Sequence, residues 1–150
     1  MVTSLNLKSN ILWYNAGMKR GYKDNIEKIT RENENFRKVL YTAERSQLVL
    51  MSLLPGEEIG FEVHPDNDQF FRFEAGKGKV VINDTEYEVA DGDAVIVPKG
   101  ATHNVTNTGT ERLKMYTIYS PAHHKDAVTE LTKAEAEATE EEFDGKTTEQ

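Results

Sequence analysis

The sequence predicts an all-β protein, an antiparallel barrel or sandwich with a short helix at its C-terminal end. Short runs rich in β-branched and aromatic residues recur at regular spacing from Phe36 onward, and turn-forming residues separate them. No helical period competes with this pattern before Pro121. Short strands at such spacing are typical of antiparallel barrels and sandwiches.

The predicted strands follow one another along the chain, each bounded by a turn. We place them at residues 36–41, 47–53, 61–64, 69–73, 79–82, 85–89, 94–97, 103–105 and 113–119. Asn83 and Asp84 suit a tight hairpin, because both residue types tolerate the positive φ that such turns require. The segments 91–93 and 107–110 supply further turns.

After Pro121 the composition shifts toward alanine and glutamate. Thr132 and Glu135 have the spacing of a capping box, which predicts a helix that begins here and continues as far as Phe143. We expect this helix to be solvated and to fray into a disordered end. The predicted organisation is an N-terminal extension at residues 1–20, a barrel at 21–121, and a helix with an acidic tail at 122–150.

Composition excludes several classes of function. The 150-residue chain has a formal charge of −8, which disfavours nucleic acid and anionic membranes as partners. Cysteine is absent, so a disulfide framework, a thiolate metal site and a cysteine nucleophile are all excluded. No apolar run approaches the ~20 residues of a membrane helix, and the N-terminus has no continuous apolar signal core. We therefore expect a cytoplasmic protein.

Four donor side chains on neighbouring predicted strands indicate a metal site. Glu62 and His64 are separated by one residue, so both leave the same face of a strand. Gln69 follows a turn at residues 65–68, and His103 arrives from a separate strand. A carboxylate such as Glu62 inside a barrel mouth is costly unless it is paired, protonated or bound to a cation. The alternatives are a salt bridge of Glu62 at the rim and a hydrogen bond of Gln69 to a bound water.

Strand parity also predicts the wall around these donors. Phe71 and Phe73 share the face of Gln69, and either Tyr116 or Tyr119 on the last predicted strand is expected to reach the cavity. The facing strand contributes Gln47, Val49 and Met51, or their alternates. Two further histidines, His123 and His124, lie after the final predicted strand and outside any motif, and we expect them to be surface loop residues.

The two segments that contain the donors resemble the two motifs of the cupins. The second segment matches its motif at every fixed position, with the residues Gly92, Pro98, Gly100, His103 and Asn107. The first segment, from Gly56 to Gly76, keeps the spacing of its motif. However, Glu62 stands where a histidine is usual, and Gln69 stands where a glutamate is usual. The chain is thus similar to small single-domain cupins described as mannose-6-phosphate isomerase-like.

This resemblance implies a double-stranded β-helix, or jelly roll, with a metal held by Glu62, His64, Gln69 and His103. It also implies a homodimer that binds a small-molecule ligand. Two imidazoles, a carboxylate and a neutral oxygen suit one divalent transition metal, and zinc, iron, manganese, nickel and cobalt are all admissible. Zinc is favoured because mannose-6-phosphate isomerase holds zinc with the same four residue types.

The expected function is a metal-dependent, isomerase-like enzyme that acts on a carbohydrate-like small molecule. No catalytic acid or base outside the ligand set stands out by its spacing. One alternative is a non-haem iron dioxygenase, since His, His and Glu equal the facial triad in composition. The other is a non-catalytic module that binds a metal or a small molecule, because a fold does not determine a function.

Overall fold

The computed structural model describes residues 18–150. Residues 1–17, which make up most of the predicted N-terminal extension, lie outside this described part. The extension therefore stays a prediction.

The described residues form two antiparallel sheets, of six and four strands. In chain order the strands are β1 (Arg37–Thr42), β2 (Gln47–Leu53), β3 (Glu62–Val63), β4 (Asp68–Ala75), β5 (Lys77–Ile82), β6 (Thr85–Ala90), β7 (Ala94–Val97), β8 (Thr102–Asn107), β9 (Leu113–Ser120) and β10 (Thr129–Glu130). The larger sheet has the order β10-β1-β2-β9-β4-β7, and the smaller one has the order β3-β8-β5-β6. This architecture confirms the all-β class and the jelly roll. The sequence did not predict β10, which adds two residues to the edge of the larger sheet beside β1.

The hydrophobic core lies between the two sheets, because alternate residues of each strand point inward. On β9 the inward set consists of Leu113, Met115, Thr117 and Tyr119, and the residues between them are less buried. Phe71 and Phe73 of β4 are fully buried, as strand parity predicts. Val80 and Val105 complete the same core from the smaller sheet.

Two turn residues and the last residue of β8 explain parts of the sequence pattern. Asn83 closes the predicted hairpin between β5 and β6 with a φ of 52°. Gly76 has a φ of 86°, and a Cβ atom there would lie 2.6 Å from the carbonyl oxygen of Arg112, so a side chain has no room. Asn107 Nδ2 donates to the carbonyl oxygen of Leu53 at 3.0 Å, which joins β8 to the end of β2. These residues stabilise the turns of the barrel.

Two short helices flank the strands. Helix α1 (Ile26–Glu32) is not predicted from the sequence. Its N-terminal cap is Asn25, whose side chain accepts a hydrogen bond from the Lys28 amide. Helix α2 (Lys133–Thr139) begins at the predicted cap, where the Glu135 amide donates to the hydroxyl of Thr132 at 3.2 Å. It ends before the expected Phe143, because Glu140 adopts a left-handed conformation. None of the helices in the described part is long and apolar enough to cross a membrane.

The residues after α2 return to the barrel, whereas the sequence predicted a disordered end. The Thr148 amide donates to the carbonyl oxygen of Thr42 at 2.9 Å. The Glu149 carboxylate accepts hydrogen bonds from the amides of Arg20 and Gly21, at 2.8 and 2.9 Å. The tail therefore joins the end of β1 to the first described residues.

Candidate metal centre

The predicted donors come from both sheets of the barrel. Glu62 on β3 is the cross-strand partner of His103 on β8, so the smaller sheet places these two side chains next to each other. His64 follows β3 directly. Gln69 lies on β4 of the larger sheet. The structure thus brings together donors that are far apart in the chain.

Strand alternation explains why Glu62 and His64 point inward. The intervening Val63 and the preceding Phe61 are exposed on the opposite face, as the sequence predicted. The Gly100 amide donates to the carbonyl oxygen of His64 at 2.8 Å. This hydrogen bond connects the two motif segments directly beside the donors.

The donor atoms lie close enough to share one ion. Ligand atoms of Glu62, His64 and His103 lie within 4.8 Å of one another. Glu62 Oε2 lies 3.3 Å from His64 Nε2, and His103 Nε2 lies 3.1 Å from Gln69 Oε1. His64, His103 and Gln69 are 4%, 2% and 1% exposed, whereas Glu62 is partly exposed. The cluster is therefore nearly closed on the barrel side and open at Glu62.

The hydrogen-bond pattern tests whether these residues fit a metal. His103 Nδ1 donates to the carbonyl oxygen of Ala101 at 3.0 Å, which leaves Nε2 as a lone-pair donor for an ion. Gln69 Nε2 donates to the Thr117 hydroxyl at 3.1 Å, so its oxygen faces His103 Nε2. If the amide were turned over, its nitrogen would donate to His103 instead, and this pair would be satisfied without an ion.

His64 is the stronger indication that these residues fit a metal ion, since its position does not depend on the orientation of the Gln69 amide. His64 Nε2 is buried, and it has no hydrogen-bond partner among the described residues. The nearby Glu62 carboxylate is within ion-pair distance but outside hydrogen-bond geometry. An unpaired buried nitrogen costs about 1–3 kcal/mol, and a metal ion would remove this cost. The residues present therefore fit a divalent transition metal.

Electrostatics favour the protonation states that bind a cation. Burial alone would raise the pKa of the Glu62 carboxyl, but His64, together with Arg37 and His103, outweighs burial and holds this pKa below its usual value. Burial lowers the pKa of His103, and the hydrogen bond to Ala101 opposes this only in part. Glu62 is thus ionised and His103 is neutral, as metal ligands must be.

The cluster opens into a cavity of about 330 Å³. Glu62 and His64 lie on its wall, together with residues from β1, from α2 and from the segment after α2. The volume is at the small end of the range for small-molecule sites, about 300–1,000 Å³. A ligand of a few heavy atoms can therefore reach the donor cluster from this side.

The structure corrects the expectation that His123 and His124 are surface residues. Both line the cavity, His124 is buried, and the ring centroids of His123 and His64 are 4.3 Å apart. Burial lowers the pKa of His123 to about 4 and that of His124 to about 2, so both imidazoles are neutral at pH 7. The sequence offered one signal, Pro121 directly after the last long strand, where the chain turns back toward the barrel.

Gln47 on β2 holds these two histidines in place. Its side-chain oxygen accepts hydrogen bonds from the amides of His123 and His124, at 3.2 and 2.9 Å. Its side-chain nitrogen donates to the Thr42 hydroxyl and to the His124 carbonyl oxygen, at 2.9 and 2.6 Å. One fully buried amide thus satisfies several polar groups of the loop.

Of the two tyrosines that strand parity predicts near the cavity, Tyr119 lies beside the candidate ligands. Its ring packs edge-on against His64 with a centroid distance of 5.6 Å, and its hydroxyl lies 3.2 Å from His124 Nε2. Burial raises the pKa of Tyr119, so the hydroxyl stays protonated. Tyr116 lies on the other face of β9, next to Phe70.

A jelly roll with two buried histidines and a partly exposed glutamate clustered at one mouth defines a small barrel protein with a candidate metal centre. Residues 49–119 match the family described as Cupin domain. The fold is similar to the crystal structure of BH2720 from Bacillus halodurans, with a TM-score of 0.79. The two sequences are 42% identical, and the match covers 80% of this chain and 96% of BH2720. The chain therefore belongs to the cupin family.

Two curated relatives are also similar to this chain. The uncharacterized protein YrkC of Bacillus subtilis is 43% identical over 123 residues, which cover 78% of this chain and 66% of the relative. An uncharacterized protein of Acanthamoeba polyphaga mimivirus is 43% identical over 107 residues, which cover 69% and 67% of the two chains. The chain thus spans about two thirds of the length of these relatives.

Proposed function

We propose that this cupin is a metal-dependent enzyme that acts on a carbohydrate-like small molecule in an isomerase-like reaction. Its metal is one divalent transition ion, with zinc preferred, held by Glu62, His64, Gln69 and His103. The proposal rests on one observation above all: the Nε2 of buried His64 has no hydrogen-bond partner among residues 18–150 and lies beside the ionised Glu62 and the neutral His103.

The chain's own residues prepare the site for such a ligand. Two neutral imidazoles and one carboxylate leave a bound divalent ion with a net positive charge. Such an ion supplies a Lewis acid that polarises a carbonyl group. Gln69 contributes a neutral amide oxygen, the weakest of the four donors. His123 places an imidazole on the cavity wall, where it can hydrogen-bond to a hydroxyl group of the ligand.

Metal analysis of protein purified without added metal tests the ligand set. We expect about one equivalent of zinc per chain for the wild type, and a loss of at least about 90% in His64→Ala and in His103→Ala. His123→Ala is the matched control, because its side chain is outside the group of ligand atoms. It should keep its metal. Circular dichroism checks that all variants remain folded, and unchanged metal content in the two ligand variants would overturn the proposal.

A second experiment tests the reaction class. The zinc-loaded protein is incubated with a panel of aldoses and ketoses, and interconversion is followed by nuclear magnetic resonance. We expect turnover that depends on the metal. Oxygen uptake with iron(II), together with inactivity with zinc, would instead show a dioxygenase. Tight metal binding without any turnover would show a binding module.

A further inference from the structure

The cavity over the candidate metal centre is strongly acidic. Two of the residues that line it carry positive charge, whereas five carry carboxylates, namely Glu62, Glu137, Glu140, Glu141 and Glu142. Three of the five follow α2 directly and are exposed. The buried His64 lies on the wall of the same cavity, and its Nε2 has no hydrogen-bond partner in the described part of the chain. The acidic residues therefore surround a buried nitrogen that a ligand can satisfy.

Both lining cations already have carboxylate partners. Arg37 Nη1 donates to Glu130 Oε2 at 2.7 Å, and the two side chains are only 10% and 6% exposed. Lys133 Nζ lies 3.7 Å from Glu137 Oε1. Each lining cation is thus offset by one carboxylate, and Arg37 Nε is buried without a hydrogen-bond partner among the described residues.

The excess of negative charge persists when paired neighbours and the metal are included. Glu130 pairs with Arg37 and Lys125 pairs with Glu141, so the extended wall has six carboxylates and three cations. A divalent ion reduces the excess of three negative charges to one. The entrance therefore remains acidic even around a loaded centre.

We infer that the site takes an uncharged or cationic oxygen-rich molecule, such as an unphosphorylated sugar, a polyol or an amino sugar, and rejects phosphorylated or carboxylated ones. This inference rests on the proposed function, since it names the substrate class of the same site. An anion that approaches the metal passes the acidic entrance, where the carboxylates outnumber the cations and repel it. A hydroxyl-rich or aminated ligand meets no such repulsion.

Two small ligands of a protein-bound metal, one anionic and one neutral, distinguish the effect of the acidic entrance from the intrinsic affinity of the metal for a ligand. Cobalt(II) is loaded into the protein, and its visible spectrum reports the binding of azide, an anion, or of imidazole, which is neutral at about pH 8. The test variant combines Glu140→Gln, Glu141→Gln and Glu142→Gln. The matched control combines Glu32→Gln, Glu44→Gln and Glu111→Gln, which change the net charge equally at exposed positions outside the cavity.

We expect the test variant to bind azide about five- to tenfold more tightly than the wild type, with imidazole affinity changed less than about twofold. The control should leave both affinities within about twofold. If the test variant unfolds, the double variant Glu140→Gln with Glu142→Gln replaces it, because it keeps the pair of Glu141 with Lys125. Azide affinity that does not respond, or that responds equally in the control, overturns the inference alone. A protein that takes up no cobalt overturns the proposed function as well.

Discussion

The amide of Gln69 is the donor whose contribution to the candidate centre is easiest to isolate. Its oxygen lies 3.1 Å from His103 Nε2, and its nitrogen donates to the Thr117 hydroxyl. A neutral amide oxygen binds a divalent ion more weakly than imidazole or carboxylate does. The position is also where the first cupin motif usually has a glutamate, so both removal and addition of charge can be examined.

We predict that Gln69→Ala weakens zinc binding about 10- to 100-fold, less than His64→Ala or His103→Ala does. Gln69→Glu should bind zinc more tightly than the wild type, because it adds a second carboxylate. Competition with a chromophoric chelator measures these affinities. Equal affinity in Gln69→Ala and the wild type would show that the amide does not bind the metal.

His124 gives the protein a pH-dependent stability. In the fold its pKa is lowered to about 2, because burial disfavours the imidazolium, while an unfolded chain titrates at the ordinary value of 6.5. Below that ordinary value the unfolded state binds a proton that the folded state refuses. The contribution of His124 to the free energy of unfolding is therefore constant above about pH 6.5. As the pH falls from there toward 2, this free energy decreases by up to about 1.4 kcal/mol per pH unit.

We predict that His124→Gln removes this part of the pH dependence. The amide can still hydrogen-bond to the hydroxyl of Tyr119, but it does not titrate. Urea unfolding at pH 7 and at pH 5 should show the free energy of unfolding of the wild type falling by about 2 kcal/mol more than that of the variant. Equal losses in the two proteins would mean that His124 accepts a proton in the folded state.

At the scale of elements, the barrel and the loop after β9 depend on Gln47. It is fully buried on β2, and it satisfies both amides of the two histidines together with the Thr42 hydroxyl. A backbone amide that is buried without a partner costs about 1–3 kcal/mol. The side chain of Gln47 therefore stabilises an element that is distant in the chain.

We predict that Gln47→Met, which keeps a similar volume without hydrogen bonds, lowers the free energy of unfolding by about 2–4 kcal/mol. Hydrogen exchange of the amides of His123 and His124 should accelerate in the variant. Val49→Ala on the same strand is the control for general loss of core packing. It should destabilise the protein without a selective effect on these two amides.

The sequence predicted β1 to β9 because strand alternation and turn residues are local features. The same alternation placed Glu62 and His64 on one face, and the fixed spacing of the second motif placed His103 near them. Local patterns did not predict the positions of His123 and His124, because these positions depend on hydrogen bonds to Gln47, which lies 76 and 77 residues away. Helix α1 was missed because Ile26–Glu32 is too short to show a clear period.

For the whole molecule, two expectations from the sequence stay predictions. One is the homodimer, which the cupin resemblance implied, and the other is the cytoplasmic location. Light scattering in solution measures the first, since the chain has a mass of 17.0 kDa and a dimer has twice that value. A monomer mass over a range of concentrations would contradict the homodimer.

Binding of one ion by the candidate ligands would join the two sheets and so stabilise the entire barrel. Glu62, His64 and His103 come from the smaller sheet or its end, and Gln69 comes from the larger one. We predict that zinc at one hundred times its dissociation constant raises the free energy of unfolding by about 2.7 kcal/mol. Urea unfolding with zinc and with a chelator measures this difference, and His103→Ala should abolish it. An unchanged free energy in the wild type would contradict binding at this site.

Because one ion would cross-link the two layers, a melting curve can rank zinc, iron, manganese, nickel and cobalt before any substrate is known. The ion that gives the largest thermal shift at equal concentration binds the folded chain most tightly. Chelators in a purification buffer would then lower the melting temperature of the protein. Addition of a salt of the preferred metal would restore that melting temperature.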